Sequence, residues 1–172
     1  FISSIDTNGN TLFYKEYQWG GNNIGYTVHP TPDGGFVMGG VSVGLVLSMI
    51  DQSTIIKTDS VGNIEWRRAF GDRWVDYKAF CTVTDSNTII ASMTQNVKGD
   101  DNWPWDGLHK NYVVCLDMNG DVLWDRFLGK SGRFLNTTTT TVKQLSDGNI
   151  LFIGSEQDFF AGIIGYTHKM TP

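Results

Sequence analysis

Asp59-Ser-Val-Gly62-Asn-Ile-Glu-Trp66 is one version of a phrase that the chain states three times. It stands earlier as Asp6-Thr-Asn-Gly9-Asn-Thr-Leu-Phe13 and later as Asp117-Met-Asn-Gly120-Asp-Val-Leu-Trp124. The aspartates are 53 and 58 residues apart. A second punctuation follows each: Asp33-Gly-Gly-Phe36, Asp85-Ser-Asn-Thr88 and Asp147-Gly-Asn-Ile150, at lags of 27, 26 and 30 residues. A period of about fifty residues with several strands per unit is the signature of a propeller or a related array. In such an array the strands are scaffold and function is sought in the loops.

The turns have a physical cause. In Asp-x-x-Gly-Asn/Asp the carboxylate accepts backbone N–H groups and the glycine takes the left-handed conformation without steric cost. That predicts a hairpin built on a type I turn with a bulge. Asp33-Gly34-Gly35 and Asp147-Gly148-Asn149 suit the same purpose. Asp85-Ser86-Asn87 lacks glycine, and Asn87 is the residue best fitted to replace it at positive φ.

Between the turns run short segments rich in Val, Ile, Thr, Tyr, Phe and Trp, with almost no helical period, which is the all-β pattern. Each unit divides into four strands, A to D. Strand A is 26–31, 77–84 and 137–145; strand B is 36–41, 88–94 and 149–155. Strand C is 2–5, 55–58, 112–116 and 163–168; strand D is 11–17, 64–70 and 122–128. The total is thirteen strands. The Thr137–Thr141 run reads as a β-branched inner strand. The repeat units run over 1–52, 53–110 and 111–161, with a further unit starting at 162–172. Phe13, Trp66 and Trp124, seven residues past each first aspartate, are placed to fill the space between adjacent sheets.

The chain of 172 residues is 40% hydrophobic and carries 20 glycines, enough for one domain core with many turns. A net charge of −5 argues against a nucleic-acid or anionic-membrane surface, since both need a basic footprint. No apolar run is long enough for a membrane helix. Cys81 and Cys115 fall in apolar strand segments and read as buried free thiols. Because the chain opens at Phe1 in mid-strand, it is expected to be a piece of something longer.

The line Ile56-Lys-Thr-Asp59-Ser-Val-Gly-Asn-Ile-Glu-Trp-Arg-Arg-Ala-Phe-Gly71, with Asp33-Gly-Gly-Phe-Val-Met-Gly39, resembles the repeat of secreted bacterial β-propeller proteins. Such repeats are common in surface and secreted proteins of Bacteroidetes that leave the cell by the type IX route. The resemblance spans nearly the whole chain. It implies a propeller segment of four-stranded antiparallel blades, three repeats and a partial one, exported to the cell surface or beyond. It implies binding or adhesion rather than catalysis and carries over no catalytic residue. The copy at Ile163-Ile-Gly-Tyr-Thr-His168 departs from the pattern in lacking the Asp-x-x-Gly turn.

In a four-stranded meander the A–B and C–D turns share one edge, and here they are uniformly tight. The B–C links (42–54, 95–111, 156–162) and D–A links (18–25, 71–76, 129–136) share the other and vary in length, so a ligand is expected there. The segment Asp100-Asp-Asn-Trp103-Pro-Trp105-Asp106-Gly-Leu-His109 is the leading candidate. Its tryptophans either pack on their own sheet or meet a protein or glycan partner, with indole faces to stack on a sugar and carboxylates for its hydroxyls. Trp74 lies on the same edge, as do Trp19 and Phe134. Calcium is a weaker reading at Asp100, Asp101 and Asp106, since the Asp-x-Asn-x-Asn/Asp turns lack the bidentate glutamate of an EF-hand. No other cofactor is expected. The rival reading is a glycan hydrolase with loop-face or central-channel carboxylates such as Glu156 and Asp158. A third is an architectural subunit of a surface assembly.

Overall fold

The computed structural model describes residues 1–18, 21–43, 51–71, 77–97, 108–128, 135–158 and 162–170. These residues form thirteen strands and no helix: β1 (Ile2–Ile5), β2 (Thr11–Lys15), β3 (Asn23–Pro30), β4 (Phe36–Ser42), β5 (Gln52–Thr58), β6 (Ile64–Phe70), β7 (Tyr77–Val83), β8 (Ile89–Val97), β9 (Leu108–Leu116), β10 (Val122–Leu128), β11 (Leu135–Gln144), β12 (Ile150–Asp158) and β13 (Gly162–Met170). Every pairing joins strands that are neighbours in sequence. The result is a series of antiparallel meanders: β1-β2, β3-β4-β5-β6, β7-β8-β9-β10 and β11-β12-β13. The fold is therefore all-β, with two complete four-stranded sheets between a two-stranded and a three-stranded one.

The turns explain the meander. Asp59 Oδ1 accepts the N–H groups of Val61 at 3.0 Å and Asn63 at 2.8 Å, while its Oδ2 accepts from the Asn63 side chain at 2.8 Å. Asp6 and Asp117 repeat the arrangement on Asn8/Asn10 and Asn119/Asp121. Gly9, Gly62 and Gly120 all have φ between 81° and 86°. A register shift marks the bulge beside each turn.

The A–B turns share this geometry with one correction to the alignment. Positive φ falls on Gly34, Asn87 and Gly148, and Asn87 is the one non-glycine with it among the described residues. Asp33 and Asp147 therefore correspond to Ser86, not to Asp85, which stands one position early. In that middle turn Thr84 Oγ1 accepts the Thr88 N–H at 3.1 Å and does the capping.

The sheets stack face to face. Val37 and Ile55 of the first full sheet meet Ala79, Cys81, Ile89, Ala91, Met93, Val114 and Leu116 of the second. The far face of that second sheet supplies Phe80, Ile90, Val113, Cys115 and Leu128 against Val142, Ile150 and Phe152. Alternate residues of β8 thus serve two cores, so its first part, Ile89-Ile90-Ala91, is apolar on both faces instead of alternating with polar residues. Each Ile, Leu or Val buried this way stabilises by about 1.5–3 kcal/mol. Approach is close enough that a Cβ on Gly39 would lie 2.6 Å from the Ala79 carbonyl oxygen.

The ring at the seventh position links sheets as the sequence suggests. Phe13 meets Phe36 of the next sheet with centroids 5.9 Å apart. Trp66 donates its indole N–H to the Met118 carbonyl at 2.8 Å.

Candidate functional site

Strands β3, β7 and β11, the A strands of three successive sheets, come together along one side of the stack. Their polar residues line an open cleft of about 450 Å³ with Thr27, His29, Thr82, Asp85, Thr141 and Lys143 in its wall. The repeat brings them there: each A strand is the first and outermost strand of its meander, so its free edge faces this side. The A–B turns close one end. Gln144 ties two of them together, accepting the Asp85 N–H at 2.7 Å and donating to the Gly148 carbonyl at 3.4 Å. Thr27 joins β3 to β7, its hydroxyl oxygen accepting the Cys81 N–H at 3.1 Å.

Burial lowers the His29 pKa below its ordinary value, so the ring is neutral at neutral pH and offers one donor and one acceptor. With threonine hydroxyls, the Asp85 carboxylate and the Lys143 ammonium, the cleft can hydrogen-bond a small polar ligand. Asp85 is the single carboxylate among the described residues lining it, whereas paired acid–base hydrolysis needs two. Sequence reasoning placed function on the opposite edge and missed this cleft. The available signal was the recurring threonine content of the A strands, at Thr27, Thr82 and Thr137–Thr141.

The aromatic and acidic candidates Trp74, Asp100, Asp101, Trp103, Trp105 and Asp106, with Trp19 and Phe134, lie outside the described residues. The backbone of His109 is described and belongs to the ladder, opposite Asn96. The reason is that β8 and β9 extend further than the composition of their ends suggests, leaving 98–107 as the link instead of 95–111. Glu156 and Asp158 likewise lie on β12, opposite Ile164 and Gly162. The third B–C link shrinks to 159–161.

The carboxylates of Asp6, Asp59 and Asp117, the oxygen-rich turns considered for calcium, are engaged by their own backbone N–H groups. The thiols of Cys81 and Cys115 are free and buried. Burial pushes the Cys81 thiol up to about 12, which keeps it protonated and unreactive.

No protein-family model matches the sequence, and no curated protein matches it. Among solved structures, a crystal structure of a protein of unknown function from Bacteroides caccae is similar, with a TM-score of 0.51 and 14% identity. The match covers 97% of this chain and 52% of that one. The chain spans about half the length of this neighbour, and the likeness is one of fold.

Proposed function

We propose that the chain is a segment of a β-propeller that works outside the cell as a rigid binding module, presenting its B–C and D–A links to a protein or glycan. The observation that carries this is the contrast between the two edges of the sheets. Six turns on one edge repeat a single hydrogen-bonded design. On the other edge, the B–C links span 43–51, 98–107 and 159–161, nine, ten and three residues between equivalent strands. Constant scaffold opposite variable connections is the arrangement of a recognition surface.

Two features support continuation into further sheets. The outer face of β1-β2 leaves Ile5 63%, Leu12 65% and Tyr14 51% exposed, whereas Thr58, the counterpart of Ile5 in the next sheet, is fully buried. The Bacteroides neighbour is about twice as long. That neighbour's origin, with the repeat resemblance, favours export to the cell surface, with type IX secretion as the route. The carboxylate content of the A-strand cleft favours binding over hydrolysis.

The test is binding of the chain to immobilised glycans and surface proteins, with Trp74→Ala and Trp103→Ala/Trp105→Ala variants. Loss of a tryptophan anchor removes about 2 kcal/mol or more, a fall of roughly thirtyfold in affinity, while the melting temperature holds. A fall in melting temperature with binding unchanged would assign those rings to packing instead.

A further inference from the structure

We infer that Trp124 and Arg126, together with the outer edge of β13, form the seat of a fourth strand whose preceding Asp-x-x-Gly turn docks on that pair. The inference rests on the repeated-sheet reading above but not on any ligand of the long links.

The seat is written twice elsewhere in the chain. Where β1-β2 meets the next sheet, Phe13 lies under the turn glycine Gly62, and Tyr17 donates to the Gly62 carbonyl at 2.7 Å. A Cβ on Gly62 would stand 3.2 Å from the Phe13 ring. One interface further, Trp66 lies under Gly120, where a Cβ would stand 3.0 Å from the indole. Trp66 donates to the Met118 carbonyl and Arg68 to the Gly120 carbonyl, each at 2.8 Å, and Arg68 also reaches Asp121 at 3.3 Å. In both cases the D strand of one sheet grips the C–D turn of the next, by an aromatic face for the glycine and a side-chain donor for its carbonyl.

Trp124 and Arg126 hold the positions of Trp66 and Arg68 one sheet later. Both point to the face that receives β11-β12-β13, since Trp124 packs against that core. Instead of gripping a turn, the Arg126 guanidinium rests on the Trp124 ring, 4.7 Å from its centroid. The receiving sheet has its A, B and C strands, and β13 is its edge. A C–D turn following β13 would bring its glycine over the indole, as those after β5 and β9 do. The strand after it would pair antiparallel with β13. The occupant is therefore a strand of this same repeat, recognised by turn carbonyls, a glycine at positive φ and a turn carboxylate for the arginine.

The experiment adds an unlabelled peptide of residues 117–128, a turn and D strand from this sequence, to the ¹⁵N-labelled full chain. The expected result is saturable binding that shifts the Trp124 indole N–H resonance, assigned by its loss in Trp124→Phe. Removing one buried hydrogen bond or inserting a clashing methyl weakens such contacts by about tenfold. That loss is expected for a Gly120→Ala peptide and for Arg126→Ala in the chain, an exposed position whose change leaves folding intact. Absence of binding, or equal binding by the altered peptide and chain, would overturn the seat. So would a Trp124-dependent dimer of the chain alone in sedimentation, which makes a second copy the occupant. None of these outcomes bears on Trp103 and Trp105, so the two readings fail separately.

Discussion

Trp66 donates its indole N–H to the carbonyl of Met118 at 2.8 Å, and its ring lies where a Cβ on Gly120 would be 3.0 Å away. One contact thus fixes the sheet-to-sheet spacing and leaves no room for a side chain at position 120. Gly120→Ala meets two penalties, a φ of 82° and the indole. Gly9→Ala meets only the first, since nothing lies within 4 Å of its Cβ position. The left-handed penalty alone costs about 1–2 kcal/mol. Overpacking against a fixed ring adds about 1–3 kcal/mol. Urea denaturation should therefore rank Gly120→Ala well below Gly9→Ala. Equal losses would mean that the ring yields and the contact does not set the spacing.

The same turns explain how much was readable in advance. Strands β1, β6 and β10 have the predicted bounds because a capping aspartate and a positive-φ glycine mark the turn beside each. The ends of β8, β9, β12 and β13 overran their predicted limits because backbone pairing continues wherever two chains stay adjacent. Asn96 opposite His109 carries no hydrophobic pattern to announce it. The A-strand cleft was illegible for a different reason: its residues come from three sheets and share no local motif.

Asn87 offers a second test of turn chemistry. Its φ of 58° is tolerable for asparagine and costly for a residue with an ordinary side chain. Asn87→Ala should lose about 1 kcal/mol in urea denaturation. Asn87→Gly should change little, because relief of strain offsets the added freedom of the unfolded chain. A neutral Asn87→Ala would show that the middle turn relaxes into another form.

Lys57 is buried, with 2% of its side chain exposed, between Asp33 at 2.6 Å and Glu65, whose side chains are 52% and 44% exposed. Burial disfavours its charge, yet the two carboxylates more than offset this and raise its pKa. Lys57→Met should be neutral or stabilising at pH 7, since both acids can return to water. Asp33→Asn/Glu65→Gln leaves the ammonium buried without a counter-charge and should cost about 3–5 kcal/mol.

The acid limb follows from the same pair. The Lys57 hydrogen bond, then that of Thr31, holds Asp33 at about 2. Its folded pKa lies below the unfolded value, so the contribution is complete above the unfolded pKa and fades as pH falls towards 2. After discounting for solvent at a half-exposed group, it amounts to roughly 1 kcal/mol. Asp147, held at about 2 chiefly by Lys169, adds a loss in the same direction. Asp33→Asn should flatten stability between about pH 4 and 2 relative to the parent chain; an unchanged slope would exclude the pair as its source.

Lys57 and Lys169 hold the same place in strands β5 and β13, and each bridges to the aspartate of its own A–B turn at 2.6 Å. The middle sheet lacks both partners together, with Ser86 in the turn and Cys115 on β9. The paired loss indicates one module, because a lysine at 115 without its acid would be a buried uncompensated charge. Cys115→Lys alone should cost about 3–5 kcal/mol. Adding Ser86→Asp should recover at least about 1 kcal/mol of it, read as a coupling energy in a double-mutant cycle. The coupling should diminish below pH 4 as the new aspartate gains its proton. A cycle without coupling would mean that the bridge depends on Glu65 or on local backbone found only in its own sheet.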